Sequence, residues 1–284
     1  MAPFFMDSRV RVEPIAAGNV SSARNHGMRS ASGKYIRFLD DDDYLLPGAM
    51  EQLELIESCE AEISSGRVSS VDQHGEEHGL VSFPSTDDFV CAAVTYSGFG
   101  LPISHLFLKS ALGDSQWDTS IERAEDYAWL IDLAAQRDWK WAALDRPVGV
   151  WFQHGKTRRG LRASVLATMK GHEDAIISRL ISLHHHLVRN GRESKQRDSA
   201  IASALWHYAH RGFPYRPFYW CAIARKAVNI SASSRPDAYA YQEGLLRWAP
   251  PVAAECALFP IRRITRLYRD IRLALNDVEY VKKL

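Results

Sequence analysis

At 284 residues, with 46% hydrophobic and 24% charged side chains, the chain has the size and composition of one large globular domain, or of one domain with an appendage. Its formal net charge of +1 gives no reason to expect nucleic acid as a partner, so any basic function must be local. Cys59, Cys91, Cys221 and Cys256 lack the CxxC spacing of a zinc site or disulfide scaffold, no apolar run approaches the ~18 residues of a membrane span, and residues 1–12 lack a signal-peptide layout, which together fit a reducing cytoplasm.

In chain order, Arg9 to Pro14 (RVRVEP) alternates basic and apolar residues and predicts a short strand. Ala17, Gly18 and Asn19 make a turn, after which Ser21 or Ser22 can cap a helix running to about Ser32. The next stretch, Gly33 to Pro47 (GKYIRFLDDDDYLLP), organises the rest. Tyr35, Ile36, Phe38 and Leu39 predict a buried strand, and Asp40, Asp41, Asp42 and Asp43 follow at once, so four carboxylates sit where the strand leaves the sheet. In open α/β sheets that edge is where ligands bind. Adjacent anions repel, and the repulsion eases if some protonate, face water separately or share a cation. Hard oxygen ligands suit Mg²⁺ or Mn²⁺ rather than zinc, and such an ion is commonly held by one or two carboxylates with substrate phosphates completing its shell. The sharp reading is a metal-diphosphate site, and the plain one is a solvated acidic turn closed by Pro47. A prenyl-diphosphate-type DDxxD motif starting at Asp40 is excluded, because Tyr44 stands where its last aspartate would be.

Residues 18 to 43 read GNVSSARNHGMRSASGKYIRFLDDDD, and this resembles the family 2 glycosyltransferases, inverting enzymes of the GT-A fold. An Asn, a Ser-x-Ala-Arg-Asn helix start, an Ala-x-Gly helix end and a strand ending in Leu-Asp-x-Asp-Asp follow one another there at this spacing. Here those are Asn19, Ser21, Ala23, Arg24, Asn25, Ala31, Gly33, Leu39, Asp40, Asp42 and Asp43. The resemblance runs over residues 9 to 155. It implies an α/β, GT-A-like (Rossmann-related) mixed sheet flanked by helices over residues 1–160, with a helical C-terminal region over residues 161–284. It also implies a nucleoside-diphosphate sugar as donor, a glycan or lipid-linked glycan as acceptor, and Mn²⁺ or Mg²⁺ as cofactor. Arg24, Asp40 and Asp41 would then contact the donor, and Asp42 with Asp40 the metal.

After Pro47, GAMEQLELIESCEAE predicts an amphipathic helix that covers the sheet with Met50, Leu53 and Ile56. GRVSSVD and HGLVSF read as strand-like pieces joined by the turn-rich Gln73 to Gly79, with His74 and His78 on the surface. LPISHLFLK predicts another strand, in which His105 is a packed core histidine or a lining of the acceptor pocket. A loop over Gly113 to Ser120 follows. In IERAEDYAWLIDLAAQRDWKW, a helix begins at Asp126, with Leu130, Leu133 and Ala134 at helical spacing. An acidic pair at this place supplies the general base in the family, and Glu125 and Asp126 match it. Transfer with inversion requires such a group, because the acceptor hydroxyl must lose its proton as it attacks, and a second carboxylate raises the pKa of the first toward a useful range. Acidic capping of the helix start is the plain alternative.

DRPVGVW predicts a last strand, followed by the polar loop FQHGKTRRG. By resemblance His154 would add a nitrogen ligand to the metal, and Lys156, Arg158 and Arg159 would close over the leaving diphosphate; an ordinary basic surface loop is the competitor. From Ala163 the pattern is helical, with Val165, Leu166, Met169, Ile176, Ile177, Leu180, Leu183 and Leu187 apolar. His184, His185 and His186 point in different directions on such a helix and make a poor metal cage. Residues 201–230 predict an aromatic-rich helical hairpin. In residues 261–275, Ile261, Ile264, Leu267, Ile271 and Leu275 share one face and Arg262, Arg263, Arg266 and Arg269 the other. That pattern suits either a peripheral contact with the inner membrane face or packing against the catalytic domain.

Family members begin with a further strand-helix-strand that holds the nucleoside, a unit of roughly 30 or more residues. Nothing of that kind precedes Met1, so either the true start lies upstream or the chain is a truncated relative; its absence would leave an unpaired apolar sheet edge, and the donor's base is unreadable. A catalytically silent homologue, serving in assembly or membrane docking, is the alternative function. A nucleotidyltransferase is a third reading, weakened by the want of a glycine-rich phosphate loop.

Overall fold

The structure is a computed structural model that describes residues 7–16, 18–95, 98–153 and 173–281, with side chains as far as Tyr268. By compactness the chain divides into one unit of residues 1–81, 101–129 and 140–172 and another of residues 82–100, 130–139 and 173–284. The boundary expected near residue 160 lies outside the described residues, and residues 82–100 and 130–139 group with the helical unit.

The first unit is built on a six-stranded mixed sheet. Its strands are β1 (Tyr35–Ile36), β2 (Tyr44–Leu45), β3 (Ile63–Asp72), β4 (Glu77–Leu80), β5 (His105–Leu108) and β6 (Trp141–Gln153), in the order β1-β5-β3-β6-β2, with β4 paired to β3. β3 and β6 run parallel, and the other pairs are antiparallel. With its flanking helices and the helical second unit this is the GT-A-like α/β class expected from sequence. The hairpin across Gln73 to Gly79 forms as expected, with Gly75 at φ +81 in its turn, a region glycine enters freely.

Several expectations need correction. Arg9 to Pro14 pairs with no strand, and Val10 and Val12 are exposed, because alternation alone stabilises nothing without a ladder partner. Only Tyr35 and Ile36 of the expected buried strand join the sheet; Phe38 is buried, but Leu39 is 48% exposed. The first helix, α1 (Val20–Ser30), is capped by Asn19 rather than Ser21 or Ser22, its side-chain oxygen accepting from Ser22 N at 2.7 Å.

In α2 (Gly48–Ser58) the sheet-facing residues are Gln52 and Ile56, while Met50 is 63% exposed. Gln52 donates to the carbonyls of Ser64 (2.8 Å) and Ser104 (3.0 Å), which a methionine could not do, so a polar residue takes the inward position. Ile56 packs with Ala61 and Leu106. His105 is 2% exposed and hydrogen-bonded to Ser65 Oγ at 2.8 Å, the packed core histidine of the two alternatives.

The short helix α4 (Lys109–Leu112) follows β5 in the first unit, and the second unit holds α3 (Phe89–Ala93), the helical run 130–136, and helices α6 (Glu173–Arg189), α7 (Lys195–Gly212), α8 (Pro217–Ile230), α9 (Tyr239–Gln242) and α10 (Pro251–Val281). Ile176, Leu180, Leu205, Trp206, Phe213 and Trp220 are fully buried there. Gly212 lets Trp220 pack against the α7 backbone, since a Cβ at 212 would run into the indole. Ion pairs tie the unit's separate segments together, among them Arg197 to Asp88 at 2.7 Å and to Asp138 at 2.9 Å, Arg192 to Asp138 at 2.9 Å and Arg179 to Asp132 at 3.0 Å.

Candidate active site

The aspartates that follow β1 form a turn closed by Asp43 N donating to Asp40 O at 3.2 Å, and both ends of the turn are fixed in the sheet. Asp43 accepts from Phe152 N at 3.0 Å; burial pushes its carboxyl up to about 6, with Asp42, Asp40 and Asp41 adding like charge. It therefore serves the turn's geometry. Asp41 is exposed, and Asp40 keeps 42% of its side-chain surface open.

Arg24 reaches this turn from the first turns of α1. Its side chain is only 7% exposed, and it donates to Asp40 at 2.9 Å, to Glu125 at 3.4 Å, and to Asp126 in a short contact. One guanidinium thus joins the aspartate turn, 16 positions away in sequence, to the acidic pair, whose Asp126 is 102 positions away. Its planar fork can serve several carboxylates at once, which a lysine could not do. Beneath it lies Trp117, 4.5 Å from the guanidinium carbon, and Trp117 stacks on Trp129 at 4.3 Å with 15° between planes. Phe38 packs edge-on to both indoles, at 5.1 and 5.5 Å.

Trp117 is held by Asn25, which donates to Trp117 O and accepts from Trp117 N, each at 2.8 Å. Asn19 likewise donates to Thr119 O at 2.9 Å. These bonds keep the loop before the acidic pair in register with α1. The pair itself opens α5 (Glu125–Gln136), directly after Ala124 at φ +56. A left-handed alanine is strained, and such strain persists where its surroundings over-determine it.

The carboxyl of Asp126 is pushed up to about 7, first by burial and further by Glu125 and Asp40, with Arg24 opposing. Its side chain nonetheless keeps 26% of its surface open, so a small group can reach it. Arg24 is held charged above its ordinary range, the carboxylates around it outweighing its burial. A cavity of about 770 Å³ is lined by Arg24, Asp40, Asp41, Asp42, Glu125 and further residues of α1 and β1. Five of the sequence-predicted site residues therefore line one cavity, and Asp126 adjoins it through Glu125 and Arg24.

His154, Lys156, Arg158 and Arg159 lie outside the described residues. Among the described residues no group of three or more His, Cys, Asp or Glu side chains is arranged to hold a metal ion. Asp40 and Asp42 both line the cavity, and an ion held by only one or two carboxylates takes the rest of its shell from substrate phosphates and water. Sequence reasoning placed Asn25 in its motif without a role, and it passed over Trp117 and Ala124. The Asn25 amide within Ala-Arg-Asn was the one available signal.

Residues 2–105 match the family model described as glycosyl transferase family 2. The uncharacterized glycosyltransferase EpsJ of Bacillus subtilis (strain 168) is 47% identical over 47 residues, 16% of this chain and 14% of EpsJ. The minor teichoic acid biosynthesis protein GgaB of the same organism is 36% identical over 67 residues, 24% of this chain and 6% of GgaB. The matched stretches are thus a small part of either relative's length. The crystal structure of S. aureus TarS 1-349 in complex with UDP superposes with a TM-score of 0.51 at 12% identity, covering 89% of this chain and 71% of that one, which is a likeness of fold.

Proposed function

We propose that this chain, whose residues 2–105 are a segment of glycosyltransferase family 2, moves a sugar from a nucleoside diphosphate to a hydroxyl of a glycan or lipid-linked glycan, with inversion. The observation that carries the reading is the three-carboxylate grip of Arg24, which unites the end of the aspartate turn with the acidic start of α5 beside one cavity. That TarS has been crystallised with UDP supports a nucleoside diphosphate as the donor's leaving half.

In this mechanism Asp42, with Asp40, would hold a Mg²⁺ or Mn²⁺ ion, which when bound neutralises the diphosphate as it departs. Asp40 and Asp41 at the cavity wall orient the donor. Asp126 accepts the acceptor hydroxyl's proton while that oxygen bonds to the anomeric carbon and the bond from carbon to phosphate oxygen breaks. Glu125 keeps the base's proton affinity high through like charge, and Arg24 fixes the base's orientation relative to the donor turn. We place His154, Arg158 and Arg159 in the same roles that the family resemblance gives them, as a nitrogen ligand and as diphosphate contacts.

Calorimetry with a nucleoside diphosphate tests the donor half of the reading. Binding should require Mg²⁺ or Mn²⁺ and should be abolished in Asp42→Ala. Equal affinity in the presence of a chelator would reject the metal site. A catalytically silent homologue would show no donor binding at all.

A further inference from the structure

We propose that Trp117 is a positioning residue, whose indole sets where the Arg24 guanidinium stands between the aspartate turn and the acidic start of α5. Its kinetic consequence rests on the transfer reading of this site, while the placement of Arg24 does not. The guanidinium carbon lies over the Trp117 ring at 4.5 Å from its centroid, and the nitrogens reach out to Asp40, Glu125 and Asp126. Three carboxylates on two separate elements pull a guanidinium in different directions, and a flat apolar surface beneath it fixes the compromise.

Trp117 stands where the elements that carry these charged groups meet. It stacks on Trp129, which lies three residues after Asp126 in α5. Phe38, which meets both indoles edge-on, lies two residues before Asp40. The Trp117 backbone exchanges two hydrogen bonds with Asn25, the neighbour of Arg24 in α1. Each contact of Trp117 thus leads, within a few residues of chain, to one of the groups that must be spaced. A thinner ring at position 117 changes the separation of all of them together.

Two observations separate this role from ordinary core filling. The indole N–H groups of Trp117 and Trp129 are buried without a hydrogen-bond partner among the described residues, a cost in stability that phenylalanine would not incur. What tryptophan supplies instead is the aromatic face that attracts a cation best, and Arg24 is the cation over it. The second observation is access. Both indoles are 2% exposed and neither lines the cavity, whereas Arg24, Phe38 and Glu125 do. Trp117 therefore reaches a bound donor through Arg24.

The test compares Trp117→Phe and Trp117→Leu in the full chain, each with and without Arg24→Lys. In heteronuclear NMR, the Arg24 Nε–H signal, identified by its loss in Arg24→Lys, should carry a ring-current shift and exchange slowly with water. Trp117→Leu should remove that shift and speed exchange by at least about tenfold, and Trp117→Phe should fall between, keeping the test readable if the leucine variant does not fold. In sugar transfer, kcat should drop about threefold in Trp117→Phe and at least about tenfold in Trp117→Leu, with the donor's KM moving less than about threefold. The loss should vanish in the Arg24→Lys background, because the two side chains act as one unit. An Arg24 signal indifferent to both substitutions, or kinetic losses that add in the double variants, would overturn the proposal and leave Trp117 as core packing. A wild-type chain that transfers no sugar, yet whose Arg24 signal responds as stated, would sink the transfer reading and uphold the positioning.

Discussion

In the proposed reaction, Asp126 and Arg24 set the chemistry of the site. With its carboxyl raised to about 7, Asp126 is ready to accept a proton near neutral pH, so transfer should rise with pH through about 7 and then level off. A pH-rate profile that is flat across the neutral range would remove Asp126 from this role. Asp126→Asn should retain donor binding and lose transfer by about 10²-fold or more, read by single-turnover product formation. The same shift predicts a stability effect. Asp126 and Asp43, the latter at about 6, hold protons in the folded state at pH values where the unfolded chain has released them. Their contribution to stability is therefore present at low pH and falls as pH rises from the ordinary carboxyl range to about 7. Asp126→Asn should flatten that fall in melting temperature. At Arg24, lysine keeps the charge but loses the fork, and Arg24→Lys should lower kcat more than it raises the donor's KM, because geometry rather than charge is lost.

Among elements, the pairing of α1 with the loop that precedes α5 decides whether the site assembles. Asn25 supplies both bonds to the Trp117 backbone, and Asn25→Ala leaves a buried N–H and a buried carbonyl unpaired. It should cost about 1–3 kcal/mol in denaturant unfolding and also lower transfer, through misplaced Glu125 and Asp126. The sheet beneath the turn is equally exacting. A Cβ at Gly149 would run into Ile103 and come within 3.1 Å of Tyr44 O, in the very pair that anchors the far end of the aspartate turn. Gly149→Ala should therefore destabilise by about 1–3 kcal/mol and weaken donor binding, measured by chemical denaturation and calorimetry on the same sample.

At the scale of the whole molecule, each unit carries a distinct ionic centre. The helical unit has Glu255, buried and accepting from Tyr241 at 2.7 Å, with His210 Nδ1 at 2.6 Å and Arg262 beside it. Glu255→Ala should cost about 3 kcal/mol or more, because Arg262 would keep its charge without its partner. Thermal unfolding should report this loss, while donor binding by the sheet-bearing unit should not change. How much of this was legible beforehand follows a physical rule. The order Asn19, Arg24, Asn25, Asp40, Asp42 lies within one local stretch, so its motif, its helix, its acidic turn and its resemblance to a family could be read from residue types and spacing. The α/β class followed from the family resemblance that this stretch carries, and the helical character of the C-terminal region from periodicity. What the sequence could not decide were contacts between distant segments: that Arg24 binds both acidic elements, that Trp117 lies beneath it, that Gln52 rather than Met50 faces the sheet, and that α10 turns Arg262, Arg263 and Arg266 inward and Ile261 and Ile264 out. Those outcomes depend on which partner each side chain meets once long loops have closed, and no local pattern records the free energy of a pairing across a hundred residues.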